Sequence, residues 1–275
     1  MSEALQIMTW PFLACLLLPG LLVYMGLHIV RREIIFVDLA LAQVAALGIC
    51  MAILLGHDAH DWQTTAWSAA FTFVGAGVLT LTRPSGKRIP QEALIGIVYV
   101  VAAAASFLLL SRSPEGNEQL RKTLVGEVLL VRPDEVLRTF ALFLAVGTVH
   151  VVFRRQFWLL SFAPDQGRAE GLCFWFWDFL FYVLFGIVVT SFVRMGGVLL
   201  VFSYLIIPAV CANLFAASLR THLIVGWVVA TLASVAGLYA SYRLDLPTGA
   251  AVVCSLGLAL LLAGVGRGMT FIMKR

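Results

Sequence analysis

Apolar residues run through this chain in long blocks, separated by short polar clusters such as Arg31-Arg32-Glu33, His57-Asp-Ala-His-Asp61 and the stretch from Arg83 to Arg88. The blocks are apolar on every side, with no polar stripe at helical spacing, as expected of helices surrounded by lipid or by other helices. A bilayer core needs roughly 20 apolar residues per spanning helix. The pattern predicts nine spans, near 10–30, 34–56, 66–82, 93–111, 136–153, 172–193, 196–217, 222–241 and 248–266. The fold class is therefore all-α, a polytopic membrane protein forming a single transmembrane domain over residues 1–275. Met1-Ser2-Glu3 lacks the basic region of a cleavable signal, so the first block is expected to stay as a helix.

Two connections are long. Residues 112–135 hold polar ends around an apolar piece, residues 123–131, which is too short to span and reads as an interfacial or re-entrant helix. Residues 154–171 form the other. There Pro164 and Asp165 should start a short helix, with Asp165 near its positive end and Gly171 just past its last turn.

Composition adds little to the class but fixes the expected orientation. Hydrophobic residues make up 61% of the chain and charged residues 12%, against about a quarter charged in a soluble domain. Alternate connections carry Arg31, Arg32, Arg83, Lys87, Arg88, Arg154, Arg155, Arg168, Arg220, Arg267, Lys274 and Arg275. The opposite set is diluted by Asp58, Asp61, Glu115, Glu118, Glu127, Asp134, Glu135 and Asp245. By the positive-inside rule the N-terminus lies outside and the C-terminus in the cytoplasm, in agreement with an odd number of spans. The 154–171 loop is then cytoplasmic and the 112–135 loop external. The net charge of +4 is too small and scattered for nucleic-acid binding. Cys15, Cys50, Cys173, Cys211 and Cys254 all fall in apolar runs without a close pair, which predicts buried free thiols.

Ionisable side chains within lipid are costly and face a bundle interior or a wet cavity. Asp38 and Asp178 are such residues, each near a basic rim where an arginine could pair with it. His28 and His150 border arginine pairs and are expected to be hydrogen-bonded. His57, Asp58, His60 and Asp61 offer carboxylate and imidazole groups suited to zinc, manganese or iron, although a polar turn would read the same way. Pro208, in mid-span after Ser203 and Tyr204, removes one N–H and frees the carbonyl four residues back, as discontinuous helices lining substrate paths do. Gly264-Val-Gly-Arg-Gly268 suggests close helix packing. The chain has no GxxxxGK[ST], HExxH or GxSxG, so neither P-loop ATP hydrolysis nor intramembrane proteolysis is expected.

Several segments together resemble the permease subunits of metal-ion ABC importers, which take up zinc, manganese or iron. They are Arg31-Arg32 followed by Asp38 and Gly48; Ala93-Leu-Ile-Gly-Ile-Val98; Leu124-Val-Gly-Glu-Val-Leu-Leu-Val131; Val198-Leu-Leu-Val-Phe-Ser-Tyr-Leu-Ile-Ile-Pro-Ala209; and Leu246-Pro-Thr-Gly-Ala-Ala251. The resemblance covers nearly the whole chain. It implies a multi-pass protein of the plasma (bacterial inner) membrane that forms a homodimer or pairs with a close paralogue. It also implies two separate ATPase subunits, an external metal-binding protein, and no cofactor or catalytic residue in this chain. The 154–171 loop becomes the coupling helix, with Pro164, Asp165, Arg168, Glu170 and Gly171 facing the ATPase. Asp38, Gln43, Ser203, Tyr204 and Pro208 become the candidate lining of the path, with Asp38 a transient metal ligand.

The sequence departs from the family at one position. The second span of the family usually reads Gly-Asp-x-x-x-His-Ala. Here the histidine position falls on Ala42 or Gln43, depending on whether Arg31-Arg32 or Gly48 anchors the alignment. A π-bulge would absorb the extra residue and bring Asp38 and Gln43 onto one face. Without imidazole, a carboxylate and an amide oxygen suit a harder ion such as manganese. The alternative is a stand-alone secondary transporter in which Asp38 and Asp178 relay protons.

Overall fold

The computed structural model describes residues 3–57, 61–81, 90–111, 128–216 and 218–273. Among them the chain is helical: α1 (Glu3–Arg32), α2 (Val37–Leu54), α3 (Trp62–Leu81), α4 (Gln91–Leu110), a 3-10 turn (Val128–Leu130), α5 (Pro133–Val152), α6 (Arg154–Phe162), α7 (Pro164–Ala169), α8 (Phe174–Phe215), α9 (Leu219–Leu244) and α10 (Thr248–Met273). Of the short helix expected over 123–131, the piece 123–127 lies outside the described residues, and Val128–Leu130 is a single 3-10 turn.

Eight of the described helices, not nine, are long and apolar enough to cross a membrane. The difference is α8, whose 42 residues take in both the expected 172–193 and 196–217 spans. At 1.5 Å per residue, such a helix would run about 63 Å, roughly twice a bilayer core. It consists of two helices joined at Gly197 (φ 74°, ψ 163°), a conformation essentially reserved for glycine. The only charge near the join is Arg194, three residues before Gly197, so hydropathy places the division slightly early.

The helices cluster into two compact units. The first comprises Met1–Val30, Lys122–Ala141 and Phe192–Arg275; the second comprises Arg31–Arg121 and Leu142–Ser191. In the second unit α2 packs against α3 and α4. Ala40, Leu41, Ala42, Gln43, Val44 and Ala45 are all buried, so this stretch of α2 is enclosed on every side. A β-carbon on Gly48 would sit 2.7 Å from the Trp67 carbonyl oxygen, so α2 and α3 touch backbone to backbone. In the first unit α9 packs on α10, where a β-carbon on Gly237 would meet the Val252 backbone nitrogen at 2.8 Å. A β-carbon on Gly26 would overlap the Leu205 carbonyl oxygen, bringing α1 equally close to α8. Such contacts are how helices associate where lipid removes the hydrophobic drive between them. Val100, Val101, Phe107 and Leu108 of α4 remain exposed, as do Leu258, Leu261 and Leu262 of α10, giving these helices apolar outer faces.

All five cysteines are free, but only Cys15, Cys50 and Cys211 are buried. Cys173 precedes α8 in a short coil and Cys254 lies on the outer face of α10, so both are exposed, contrary to expectation. The expected packing at 264–268 is also absent where it can be seen: Gly264 and Gly266 have open space around them.

Candidate transport path and coupling helices

Asp38 is the second residue of α2, near the positive end of that helix, and is 2% exposed. Its Oδ1 has no hydrogen-bond partner. An enclosed carboxylate oxygen without a donor is costly in a folded protein and marks a place where a cation or proton can be received. Gln43, also buried, lies five residues along. The expected π-bulge between them is not formed, because α2 runs as regular α-helix from Val37 to Leu54. Five residues at about 100° each place Asp38 and Gln43 roughly 140° apart. They share an enclosed helix, not a face.

A third residue, Glu92, was not legible as part of this site. The N-cap position of α2 is Phe36, whose side chain cannot accept a hydrogen bond, so the helix start lacks a local cap. Glu92 at the start of α4 supplies it: Glu92 Oε1 accepts the Phe36 N–H at 2.9 Å. Its other oxygen, Oε2, is buried and unpartnered. Only the tertiary packing of α4 on α2 reveals this role. Glu92→Ala should lower stability by about 1 kcal/mol, the usual worth of a cap, and Glu92→Gln by less because the acceptor remains. Thermal unfolding in detergent would check this, and equal losses in both variants would contradict the capping role.

The other candidate path residues belong to the first unit. The Ser203 hydroxyl donates to the Leu199 carbonyl of its own helix at 2.8 Å. The Tyr204 hydroxyl lies 2.6 Å from Ser234 Oγ on α9, while Ser234 Oγ donates to the Ala230 carbonyl at 2.6 Å. Ser234 has one proton to give, so Tyr204 is the donor in its pair. Pro208 is buried, and α9 approaches its carbonyl at Gly226. Tyr204 thus holds α8 to α9 beside the proline, an arrangement that fixes this stretch of helix.

In the polar turn, His57 and Asp61 flank Asp58 and His60, which lie outside the described residues. Among the described residues no group of three or more His, Cys, Asp or Glu side chains could hold a metal. The Asp61 main-chain carbonyl accepts the Thr65 N–H at 3.2 Å, opening α3.

The connection expected to be a loop with one short helix contains two helices. In α7, Pro164 occupies the first turn, where its missing N–H costs nothing. The helix ends as the sequence implies. Gly171 takes φ 74°, its N–H reaches the Arg168 carbonyl at 3.1 Å, and the Leu172 N–H reaches the Gly167 carbonyl at 2.9 Å. This pair of bonds closes a Schellman motif. Arg168 bonds Asp165 at 2.8 Å, and Glu170 receives Arg155 and Gln166 at 2.9 Å each. These charges are mutually satisfied yet exposed.

The preceding helix, α6, is rooted by Phe157, which stacks on the His150 ring at 4.3 Å and meets Trp177 edge-on at 5.8 Å. His150 Nδ1 donates to the Val146 carbonyl at 3.0 Å. Beside this cluster lies Arg32, whose guanidinium pairs with Asp178 at 3.1 Å and donates to Ser161 Oγ at 2.8 Å. It also covers the Phe181 ring at 4.3 Å. An arginine partner for Asp178 was expected; the link to α6 through Ser161 was not. In sequence Arg32 reads as a marker of orientation and one of several arginines that could pair with Asp178, not as a link to α6.

A profile of the ABC 3 transport family matches residues 4–266. The manganese transport system membrane protein MntC of Listeria monocytogenes is 27% identical over 228 residues, covering 83% of this chain and 79% of that protein. The manganese import system permease protein ScaB of Streptococcus gordonii is 25% identical over 239 residues, covering 86% and 83%. Among solved structures, PsaBC from Streptococcus pneumoniae in complex with Fab superposes with a TM-score of 0.79 at 22% identity, covering 95% of this chain and 93% of that one.

Proposed function

This chain belongs to the ABC 3 transport family, and from that membership we propose that it is the permease of an importer whose cargo is a divalent metal ion, manganese first. It is an integral membrane permease subunit of an ABC transport system. Separate ATPase subunits supply the energy, an external binding protein delivers the ion, and a second permease copy completes the membrane part. The N-terminus lies outside, which puts α6 and α7 on the cytoplasmic side against the ATPase.

The observation that carries the cargo reading is Asp38, a buried carboxylate with an unpartnered oxygen on an enclosed helix. The position where the family pattern has imidazole falls on Ala42 or Gln43, so α2 offers no imidazole to stand with Asp38. Oxygen donors suit manganese, and manganese is the metal in the names of the relatives above. Asp178 is committed to Arg32, which leaves the proton-relay alternative without its second carboxylate.

Uptake of manganese into proteoliposomes holding the assembled transporter tests this reading. Asp38→Ala should lower uptake by at least about tenfold, since even groups one shell away from a metal cost 10–100-fold when removed. Wild-type manganese uptake by the Asp38 variant would defeat the assignment.

The coupling surface makes a separate prediction. Asp165→Arg should place two like charges side by side in α7 and weaken co-purification of the ATPase, with membrane insertion unaffected. Arg168→Glu should do the same from the other side of the pair. Undiminished recovery of the ATPase with both variants would argue against α7 as the docking element.

A further inference from the structure

We propose that Arg32 is a positioning residue for transport, carrying displacement of the ATPase-facing helices to the Asp38 end of α2. The inference rests on the importer reading above. Four observations carry it, all within the second unit. First, Arg32 is nearly enclosed, with side-chain exposures of 9% for Arg32 and 3% for its partner Asp178, yet it lies at the very end of α1. A surface arginine that only reports orientation has no need of such a site. Second, its guanidinium joins two elements at once, Ser161 near the end of α6 and Asp178 in α8, with the Phe181 ring beneath it. The planar fork of arginine suits this double task, which a lysine cannot reproduce.

Third, Arg32 is directly followed by the tight turn that starts α2. Glu33 holds φ 58°, a left-handed conformation rare for a residue with a side chain, and α2 begins at Val37 with Asp38 in its first turn. Movement of Arg32 therefore reaches Asp38 through a few residues of constrained backbone. Fourth, a second strut runs in parallel. Tyr182, one turn beyond Asp178, accepts a hydrogen bond from Gln91 Nε2 at 3.0 Å, and the adjacent Glu92 caps α2 at Phe36. Both struts leave the same face of α8; one ends on Arg32, before the turn that leads into α2, and the other on Phe36, the N-cap residue of α2. Packed interiors do not deform continuously, so a shift of α6 is passed along such links and is not absorbed.

The test uses the whole transporter in proteoliposomes, comparing wild type with Ser161→Ala and with the double variant Arg32→Met/Asp178→Leu. Replacing both charges with apolar groups avoids stranding a buried ion. Two quantities are read: manganese taken up per ATP hydrolysed, and hydrogen exchange over residues 33–43 and 154–171 with the ATPase trapped in its ATP-bound state. In wild type, trapping should alter exchange in both segments. In the double variant the 154–171 response should persist while the 33–43 response is lost, and uptake per ATP should fall roughly tenfold. Ser161→Ala should lower uptake per ATP to a lesser degree. A 33–43 response that survives in the double variant overturns the proposal, as does a fall in uptake with the ratio to hydrolysis unchanged. If wild-type exchange over 154–171 ignores the ATPase altogether, the importer reading fails at its docking step, a result distinct from loss of the link.

Discussion

Arg32→Met, made alone, is expected to destabilise the protein by about 3–5 kcal/mol, the range found when one member of a buried ion pair is removed. The reason is what remains. Asp178 is enclosed at 3% side-chain exposure, and its pairing cation would be gone. Ser161 would lose its donor and Phe181 the guanidinium above its ring. Adding Asp178→Leu should recover most of the loss, because a well-packed apolar pair of similar volume is often as stable as a buried ion pair. Thermal unfolding in detergent, with folded yield from the membrane as a second reading, would show the order wild type, double variant, single variant. A single variant as stable as the double would mean that Asp178 is not committed to Arg32.

Gly197→Ala should cost about 1–3 kcal/mol, the usual burden of a backbone conformation that only glycine adopts comfortably. At φ 74° and ψ 163° a β-carbon clashes with the flanking peptide groups, so the join between the two halves of α8 would have to reshape or the helix straighten. Gly196→Ala is the natural control. Gly196 has no left-handed backbone, and its added carbon would meet only the tip of Leu200 at 3.0 Å, a flexible side chain that can give way. The expected result is a marked loss of folded protein for the first variant and a small one for the second. Equal losses would mean that crowding at this glycine pair, not its backbone conformation, sets the constraint.

The helices and the membrane class were readable in the sequence because lipid imposes a length and an apolarity that few other structures share. The α7 helix was readable for a different reason: Pro164 and Gly171 each have a strong local preference, one for a helix start and one for its end. Where local preference is silent, the sequence was silent too. Gly197 divides α8 through one backbone conformation, and the one charge beside it, Arg194, marks the division three residues early. Glu92 caps α2 across 56 positions of sequence, a distance over which no pattern carries. The expected bulge in α2 failed because it was inferred from alignment spacing, whereas the helix is held regular by the packing of α3 and α4 around it. For Asp178 the need for a partner was legible and its identity was not, since two adjacent arginines were equally available in sequence.

The backbone crossings at Gly26, Gly48 and Gly237 bear on how this protein can change over generations. Any base change that alters the meaning of a glycine codon and keeps the chain intact adds at least one carbon atom. At most positions a gene can move through a graded series of sizes, but here the first step is already too large for the space between helices. Such sites have no neutral amino-acid neighbours in the genetic code. A replacement can persist only where the facing helix has first moved aside, so these three positions should vary only together with the segments around Leu205, Trp67 and Val252 that they touch.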